Sequence, residues 1–366
     1  QEEWNAELEA KHQRLVAWLH VQKLAGVLLR RNKNVAWLTG GVVEVRVLTP
    51  CETGVASLLV TADGKRYYFT TENEAPRLHD EEFGSLDFEP IVFPWFGDAT
   101  VTAAAKLAGG RLGSDSGGDG TTPVNLYPLR AALMESEKKR YRWLGAEIAG
   151  ATVESLHQVE PGLSEYDLEA ITAANLLRRG ILPSVYLYAV DERIYKYKHA
   201  AARGARLKQY AMLNLCARKW GLAISITRFV HFGALSGELT ERFRASAQVN
   251  AALLDASRAG ATSASLFKVV QNAYAALGFA GEERLHHQGG ATGYWEREWV
   301  ATPAGSETVV DNQAFAWNPS IRGGKAEDTV IVSGGKVEWL TATPELPVIE
   351  INVSGQVYPA AGVLIK

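Results

Sequence analysis

The chain has 366 residues, 47% of them hydrophobic, enough to bury a sizeable core in two domains or one large one. A formal net charge of −3 supplies no chain-wide basic field, which argues against a nucleic-acid partner. The two cysteines, Cys51 and Cys216, stand far apart and match no C-x-x-C spacing, so neither a disulfide scaffold nor a structural zinc site is expected, and a reducing cytoplasm is the expected compartment. No apolar run of about 18 residues occurs, and the opening "QEEWNAELEAKHQRL" is polar and acidic, so no membrane span or export signal is expected.

In chain order, Leu8, Leu15, Trp18 and Leu19 fall at helical spacing ahead of a strand-like "GVLLRR". The runs "NVAWLTGG", "VASLLVTADGKRYYFTT" and "FEPIVFPWF" read as short β-rich stretches broken by turns such as Asp63-Gly64. Together they predict an α/β domain. Glycine, serine, aspartate and proline concentrate over residues 109–129, the composition of a linker, and place the domains at 1–125 and 126–366. Beyond it, "RAALMESEKKRYRWLGAEIAGATVESLHQV" predicts a long amphipathic helix and "EPGLSEYDLEAITAANLLRRGI" a second, with Ser164 as N-cap. Strands are expected at "YAMLNLCAR", "LAISITRFVHFG" and "TVIVSGGKVEWLT", and helices from about Gly237 to Ala259 and Ser263 to Leu277. The second domain is therefore expected to be α+β, with helices on a mostly antiparallel sheet.

The order of these pieces resembles the pita-bread family of methionine aminopeptidase, aminopeptidase P, prolidase and creatinase, over most of the chain. "NVAWLTGG" resembles the N-terminal domain of the creatinase and prolidase branch, and "LRAALMESEKKRYRWLGAEIAG" the helix that opens the catalytic domain. The resemblance implies an α+β fold, a creatinase/prolidase-like α/β domain followed by a pita-bread domain on a curved, mostly antiparallel sheet. It also implies a homodimer. Catalytic members hold two divalent metals with two aspartates, a histidine and two glutamates, whose hard oxygens suit such ions. Those positions fall here on Asn214, Ser225, His287, Asn318 and Glu327, with His286 leaving the histidine register open. Only one carboxylate of four remains, so two hard cations are not expected to bind, and no cofactor is expected.

Creatinase, similar in fold but working without a metal, uses a histidine as proton shuttle, and the corresponding residue is His199 in "IYKYKHAAARGARL". The resemblance implies that His287 is a proton donor or oxyanion stabiliser, unless it is a packed relic of the ligand position, and that Glu327 either holds a cationic substrate group, orients a water or merely pairs with Lys325 or Arg322. The segment "HHQGGATGYWEREW" departs most from the aminopeptidases and is the expected specificity element. In it Gln288 offers an amide, Gly289 and Gly290 allow close approach or a tight turn, and Tyr294 offers a hydroxyl. Asn214, Ser225 and Asn318 either line a pocket or satisfy buried strand ends. Arg46 lies where creatinase-type dimers lend residues to the neighbouring subunit, and an arginine there grips a carboxylate bidentately, unless it is a plain strand arginine. Cys216 shares a strand face with Asn214 and reads as a small core residue.

The expected function is thus a metal-independent, creatinase-like C–N hydrolase or lyase on a small amino-acid-like or amidine-like substrate. The alternatives are a non-catalytic pita-bread binding protein and a metal-dependent Xaa-Pro aminopeptidase.

Overall fold

The computed structural model describes residues 2–49, 51–118 and 120–366. Contacts divide these into two units, one running up to Glu137 and including Trp220–Leu222, the other comprising Lys138–Lys219 and Ala223–Lys366. The boundary read from the linker composition falls inside the first unit. Arg14 donates to the Leu129 carbonyl at 2.8 Å and Arg130 to Asn34 Oδ1 at 2.7 Å, tying the short helix Tyr127–Arg130 to the residues before it.

The first unit is built on one sheet of six strands: β1 (Gly26–Arg31), β2 (Thr53–Thr61), β3 (Arg66–Thr71), β4 (Glu89–Phe93), β5 (Leu112–Ser114) and β6 (Thr122–Pro123). Their order is β4-β3-β2-β1-β5-β6. β1 pairs antiparallel with β2, and β2 with β3 across the Asp63-Gly64 turn, where Gly64 has φ +87°. β1 with β5, β3 with β4, and β5 with β6 are parallel, the mixed pattern of an α/β layer. The helix Thr100–Ala108 buries Ala104 against Leu28, Leu59, Tyr67, Phe69 and Leu112, and Gly109 ends it at φ +67°. One expectation is corrected. "NVAWLTGG" is helical over Asn32–Leu38, where Val35, Ala36, Trp37 and Leu38 are all buried. A short run buried on every side shows no alternation, so a strand and a helix leave the same pattern in the sequence.

In the second unit, β7 (Leu182–Val190), β8 (Tyr210–Lys219) and β9 (Leu222–His231) form a sheet closed at its far edge by Leu364–Ile365 beside β9. A second sheet has the order β11-β10-β12-β15-β16, from β10 (Gly289–Thr292), β11 (Trp299–Val300), β12 (Gln313–Trp317), β15 (Asp328–Ser333) and β16 (Lys336–Trp339). All its neighbours pair antiparallel, as expected. Between β12 and β15 lies a small hairpin of β13 (Ser320–Ile321) and β14 (Gly324–Lys325). Helices Glu135–Gln158, Glu165–Leu177, Gly237–Ala256 and Ser263–Ala276 accompany these sheets. Ser164 caps the second of them by accepting from the Asp167 N–H at 3.2 Å, and the Asp167 carboxylate reciprocates on Ser164 N–H at 2.7 Å.

Residues two apart on a strand share a face, and this organises the β8–β9 hairpin. Toward one end, Tyr210 and Met212 of β8 and Phe229 of β9 pack with Leu239 and Phe243 of the Gly237–Ala256 helix. Asn214 and Cys216 continue the same face of β8, and Thr227 and Ser225 the same face of β9. A core face therefore turns polar along its length. Among the described residues no helix is long and apolar enough to cross a membrane.

Candidate functional site

The hairpin turn Trp220-Gly221, both residues at positive φ, is the two-residue kind that fixes register. It sets Asn214 opposite Thr227 and Cys216 opposite Ser225. Asn214 Nδ2 donates to Thr227 Oγ1 at 2.6 Å, and Cys216 Sγ lies 3.1 Å from Ser225 Oγ. Burial pushes the Cys216 thiol up to about 11, so it is a packed thiol and no thiolate nucleophile. The other faces of these strands hold a different charge. Arg228, buried, donates to Asp328 Oδ1 at 2.6 Å, to the carbonyls of Thr227 and Thr341, and to Thr343 Oγ1.

Glu327 enters from the second sheet. The β12–β15 ladder ends at the pair Trp317 and Asp328, so Asn318 and Glu327 stand one step beyond it, facing each other. Asp328 turns to Arg228, and Glu327, its neighbour, turns to the hairpin's polar face. There its Oε2 accepts from Asn214 Nδ2 at 2.5 Å, from Thr227 Oγ1 at 2.6 Å and from Lys325 Nζ at 3.0 Å. Its Oε1 accepts from Arg297 Nη2 at 2.8 Å. Burial would raise this carboxyl, but the Lys325 and Arg297 charges, with hydrogen bonds from Thr227 and Lys325, prevail and hold it at about 2.

Arg297 is the residue that sequence reasoning missed. It sits in the loop between β10 and β11, inside the segment expected to set specificity, and also donates to Ser225 Oγ at 2.8 Å and to the Glu296 carbonyl at 2.6 Å. The loop is pinned by Glu296, which pairs with Arg218 and accepts from Ser184 Oγ at 2.6 Å, while the Arg218 guanidinium lies 5.2 Å from the Trp295 ring centroid. Alternation along β9 is the signal that finds Thr227, two residues past Ser225. No comparable signal shows which member of "ERE" turns inward. Arg322, the other partner suggested for Glu327, makes no such contact; its carbonyl accepts from Arg242 at 2.8 Å.

The histidines gather beside this cluster. His199 Nε2 and His286 Nε2 are hydrogen-bonded at 2.6 Å, and the His199 and His287 ring centroids lie 5.8 Å apart. His287 Nδ1 accepts the Gly289 N–H at 3.2 Å, which places the proton of the neutral ring on Nε2. Burial first, then the Lys325 charge, lowers His199 and holds His286 at about 2; burial and the Arg297 charge hold His287 at about 4. All three are therefore neutral bases near pH 7. Their ring nitrogens lie within 4.8 Å of one another, the one group of three or more such donors among the described residues with that spacing.

The other expected residues fall as follows. Asn318 is buried, its N–H donating to the Gln288 carbonyl at 3.0 Å and its Oδ1 buried without a partner. Gln288 is engaged at both ends of its amide, accepting from Tyr274 OH at 2.8 Å and donating to the His286 carbonyl at 2.6 Å, so it fixes the histidine segment. Tyr294 is fully enclosed. Gly289 and Gly290 belong to β10, where a Cβ on either would come within 2.1 Å of the Ala316 or Trp299 carbonyl oxygen, so strand packing accounts for both. Arg46 lies in the first unit, its Nε and Nη2 on Glu44 at 2.9 and 2.5 Å.

Residues 144–334, more than half of the chain, match the family model for metallopeptidase family M24, and residues 11–139 match the creatinase/prolidase N-terminal domain. The chain belongs to metallopeptidase family M24. Solved structures similar to this member of M24 include dipeptidase PepE from Mycobacterium ulcerans, at 17% identity and TM-score 0.75 over 93% of this chain and 96% of that one. The Xaa-Pro dipeptidase from Bacillus anthracis is also 17% identical, with TM-score 0.72 over 98% and 100%. The N-terminal domain of FACT complex subunit SPT16 from chickpea is 12% identical, with TM-score 0.64 over 92% and 96%. Likeness at these identities is a likeness of fold. Among curated proteins none matches the sequence.

The two-ion centre implied by the M24 resemblance does not fit the side chains in this M24 chain. At three of the four positions to which the resemblance carries its carboxylates stand the neutral Asn214, Ser225 and Asn318. The fourth, Glu327, has both oxygens occupied, and its two cationic partners would repel a divalent ion at the same place.

Proposed function

We propose that the chain is a metal-independent, creatinase-like enzyme that cleaves a C–N bond in a small amino-acid-like substrate, with His199 moving the proton. One observation carries this reading: positive charge beside Glu327 is already supplied by the side chains of Lys325 and Arg297, within 3.0 and 2.8 Å. Cations fixed in the fold stabilise an oxyanion as it forms without needing to be recruited. Neutral His199, with His286 on its Nε2, takes a proton from water as the water oxygen attacks carbon, and returns it to the departing nitrogen. In an elimination the same circuit carries a proton from carbon to nitrogen. His287, with its proton on Nε2, donates to the developing anion. The amino-acid-like branch of the expectation has more support than the amidine branch, because Lys325 and Arg297 already stand on the Glu327 carboxylate and repel a second cation there. A homodimer belongs to this reading, and light scattering measures it.

The test pairs metal analysis with one substitution. Protein purified without chelator should contain far less than one equivalent of manganese, zinc or cobalt; near-stoichiometric metal, including zinc on the three histidines, overturns the reading. With a substrate found in an amide, amine and guanidine screen, His199→Gln should lower turnover by ~100-fold or more with an unchanged thermal melt. Undiminished turnover would remove His199 from the mechanism. A second reading, a binding protein without catalysis, is favoured by the neutral residues at the family's acidic positions and gains if the screen finds no turnover at all.

A further inference from the structure

The first unit holds a cavity of its own. Strands β1, β3 and β4 run in one direction, because β2 pairs antiparallel with both β1 and β3, and β3 is parallel to β4. In open α/β sheets ligands bind in the space outside the carboxyl ends of such strands. Here that space is a cavity of about 340 Å³, reached by Arg30 from the end of β1, Thr71 from the end of β3 and Phe93 from the end of β4. Its volume falls within the ~300–1,000 Å³ of small-molecule pockets. Phe69, packed under Ala104 of the helix Thr100–Ala108, continues into the cavity wall, and Thr100 at the start of that helix forms its edge.

The polar groups facing this cavity are arranged and unused. Between Leu29 and Arg31 the β1–β2 register shifts, and the N–H groups of Arg30 and Arg31 go instead to the Asp115 carboxylate at 2.8 and 3.1 Å. Such a bulge re-aims a side chain. The Arg30 guanidinium makes no hydrogen bond among the described residues; its ion pair with Asp98 Oδ2 spans 3.7 Å, longer than a hydrogen bond. Asp98 is fixed on its other side, where Oδ1 accepts the Thr100 N–H at 3.0 Å. Ser57, paired with Phe69 and so on the same sheet face, also lines the cavity; it is only 9% exposed, and its hydroxyl has no partner among the described residues. The rim is the turn Pro94–Gly97, closed by the Gly97 N–H on the Pro94 carbonyl at 2.9 Å. It presents Trp95 and Phe96, 73% and 77% exposed, with ring centroids 5.6 Å apart. Large aromatic surface held open to water by a closed turn marks a place of binding.

Arg30 and Asp98 are the charged residues that line the cavity. Of their charged neighbours, Asp115 is held by the two backbone N–H groups and by Asn34 Nδ2 at 2.8 Å, and Arg31 is paired with Glu52. The lining thus offers one cation, one anion and an aromatic wall. We propose that this cavity binds a free α-amino acid with a large apolar or aromatic side chain. The ligand carboxylate takes the Arg30 guanidinium, its ammonium takes Asp98 Oδ2, and its side chain lies among Phe69, Phe93, Trp95 and Phe96, with the Ser57 hydroxyl as a further polar contact. The site lies wholly within the first unit and goes beyond the proton-transfer reading, whose residues all belong to the second.

Calorimetric titration of the full chain with L-phenylalanine tests it, beside 3-phenylpropanoate, which lacks the ammonium, and phenethylamine, which lacks the carboxylate. L-phenylalanine should bind saturably, and each analogue about 10-fold or more weakly. Arg30→Met should weaken L-phenylalanine by about 10- to 100-fold, the loss of a charge-assisted contact, with an unchanged thermal melt. Asp98→Asn, which keeps an acceptor for the Thr100 N–H, should bring L-phenylalanine down to the affinity of 3-phenylpropanoate and leave 3-phenylpropanoate itself no weaker; general damage to the fold would weaken both. Trp95→Ala, at an exposed position, repeats the loss if Arg30→Met does not fold. Absence of saturable binding, equal binding of the analogues, or a folded Arg30→Met variant of unchanged affinity would each overturn the proposal. So would a dimer in light scattering that dissociates in Trp95→Ala without any binding of L-phenylalanine, which would give the aromatic turn to a second copy. His199→Gln should leave L-phenylalanine binding unchanged, and binding lost there but kept in Arg30→Met would place the ligand in the second unit and overturn this site. Failure of the proton-transfer reading shows instead as undiminished turnover in His199→Gln, a measurement independent of this one.

Discussion

At the scale of single residues, the site depends on how Arg297 is held, and Glu296 next to it does the holding. Burial pulls the Glu296 carboxyl up, yet the Arg218 charge with hydrogen bonds from Ser184 and Arg218 outweighs it, so its pKa lies below the ordinary 4.5. A carboxylate depressed in the fold stabilises it fully above the unfolded value and loses that contribution as pH falls through the folded one. Urea unfolding between pH 6 and pH 3 should therefore show stability draining away below about 4.5. Glu296→Gln should lose about 1–3 kcal/mol at neutral pH and show a shallower acid dependence. An acid profile identical to that of the unaltered protein would mean that Glu296 is not what pins the loop.

At the scale of elements, two strands explain most of the arrangement. The β8–β9 hairpin carries apolar and polar stretches on one face, so a single register error would turn Asn214 and Thr227 away from Glu327. Strand β10 approaches its neighbours so closely that glycine is required. Gly289 has φ +89°, and a Cβ there would lie 2.1 Å from the Ala316 carbonyl oxygen. Gly289→Ala should cost on the order of 3 kcal/mol or more, read as a fall in the denaturation midpoint. Equal stability in that variant would show that β10 shifts freely, and would loosen the placement of His286 and His287 just before it. The buried pair on the opposite face is a structural counterpart: Asp328→Asn leaves Arg228 without its counter-charge and should cost about 3–5 kcal/mol.

At the scale of the whole molecule, the proposed metal-independent reading implies that folding needs no ion at the family's metal positions, since Glu327 is already paired with Lys325 and Arg297. Dialysis against a strong chelator should accordingly leave the melting temperature unchanged, since only a species bound to the native state shifts it. A clear fall would mean that a metal contributes to the native state. The division into two units, one with a mixed six-stranded sheet and one with antiparallel sheets, follows the alternation of strand and helix patterns, which survives large changes of sequence. The helix Asn32–Leu38 escaped that pattern because its residues are buried on all sides.

The sequence by itself determined the family and most of the order of strands and helices, and it placed the neutral Asn214, Ser225 and Asn318 where the resemblance expects carboxylates, because local periodicity and residue type are carried by the chain directly. Which of His286 and His287 meets His199, that Gln288 is held at both ends of its amide, and that Arg297 reaches Glu327 were decided only by the tertiary structure. Those facts depend on distances between segments up to a hundred residues apart in the chain, and on which way a side chain leaves a loop. Ion pairing is such a quantity: Lys325 and Arg297 are ordinary basic residues in the sequence, and they become partners of Glu327 only when the second sheet brings them both to one carboxylate.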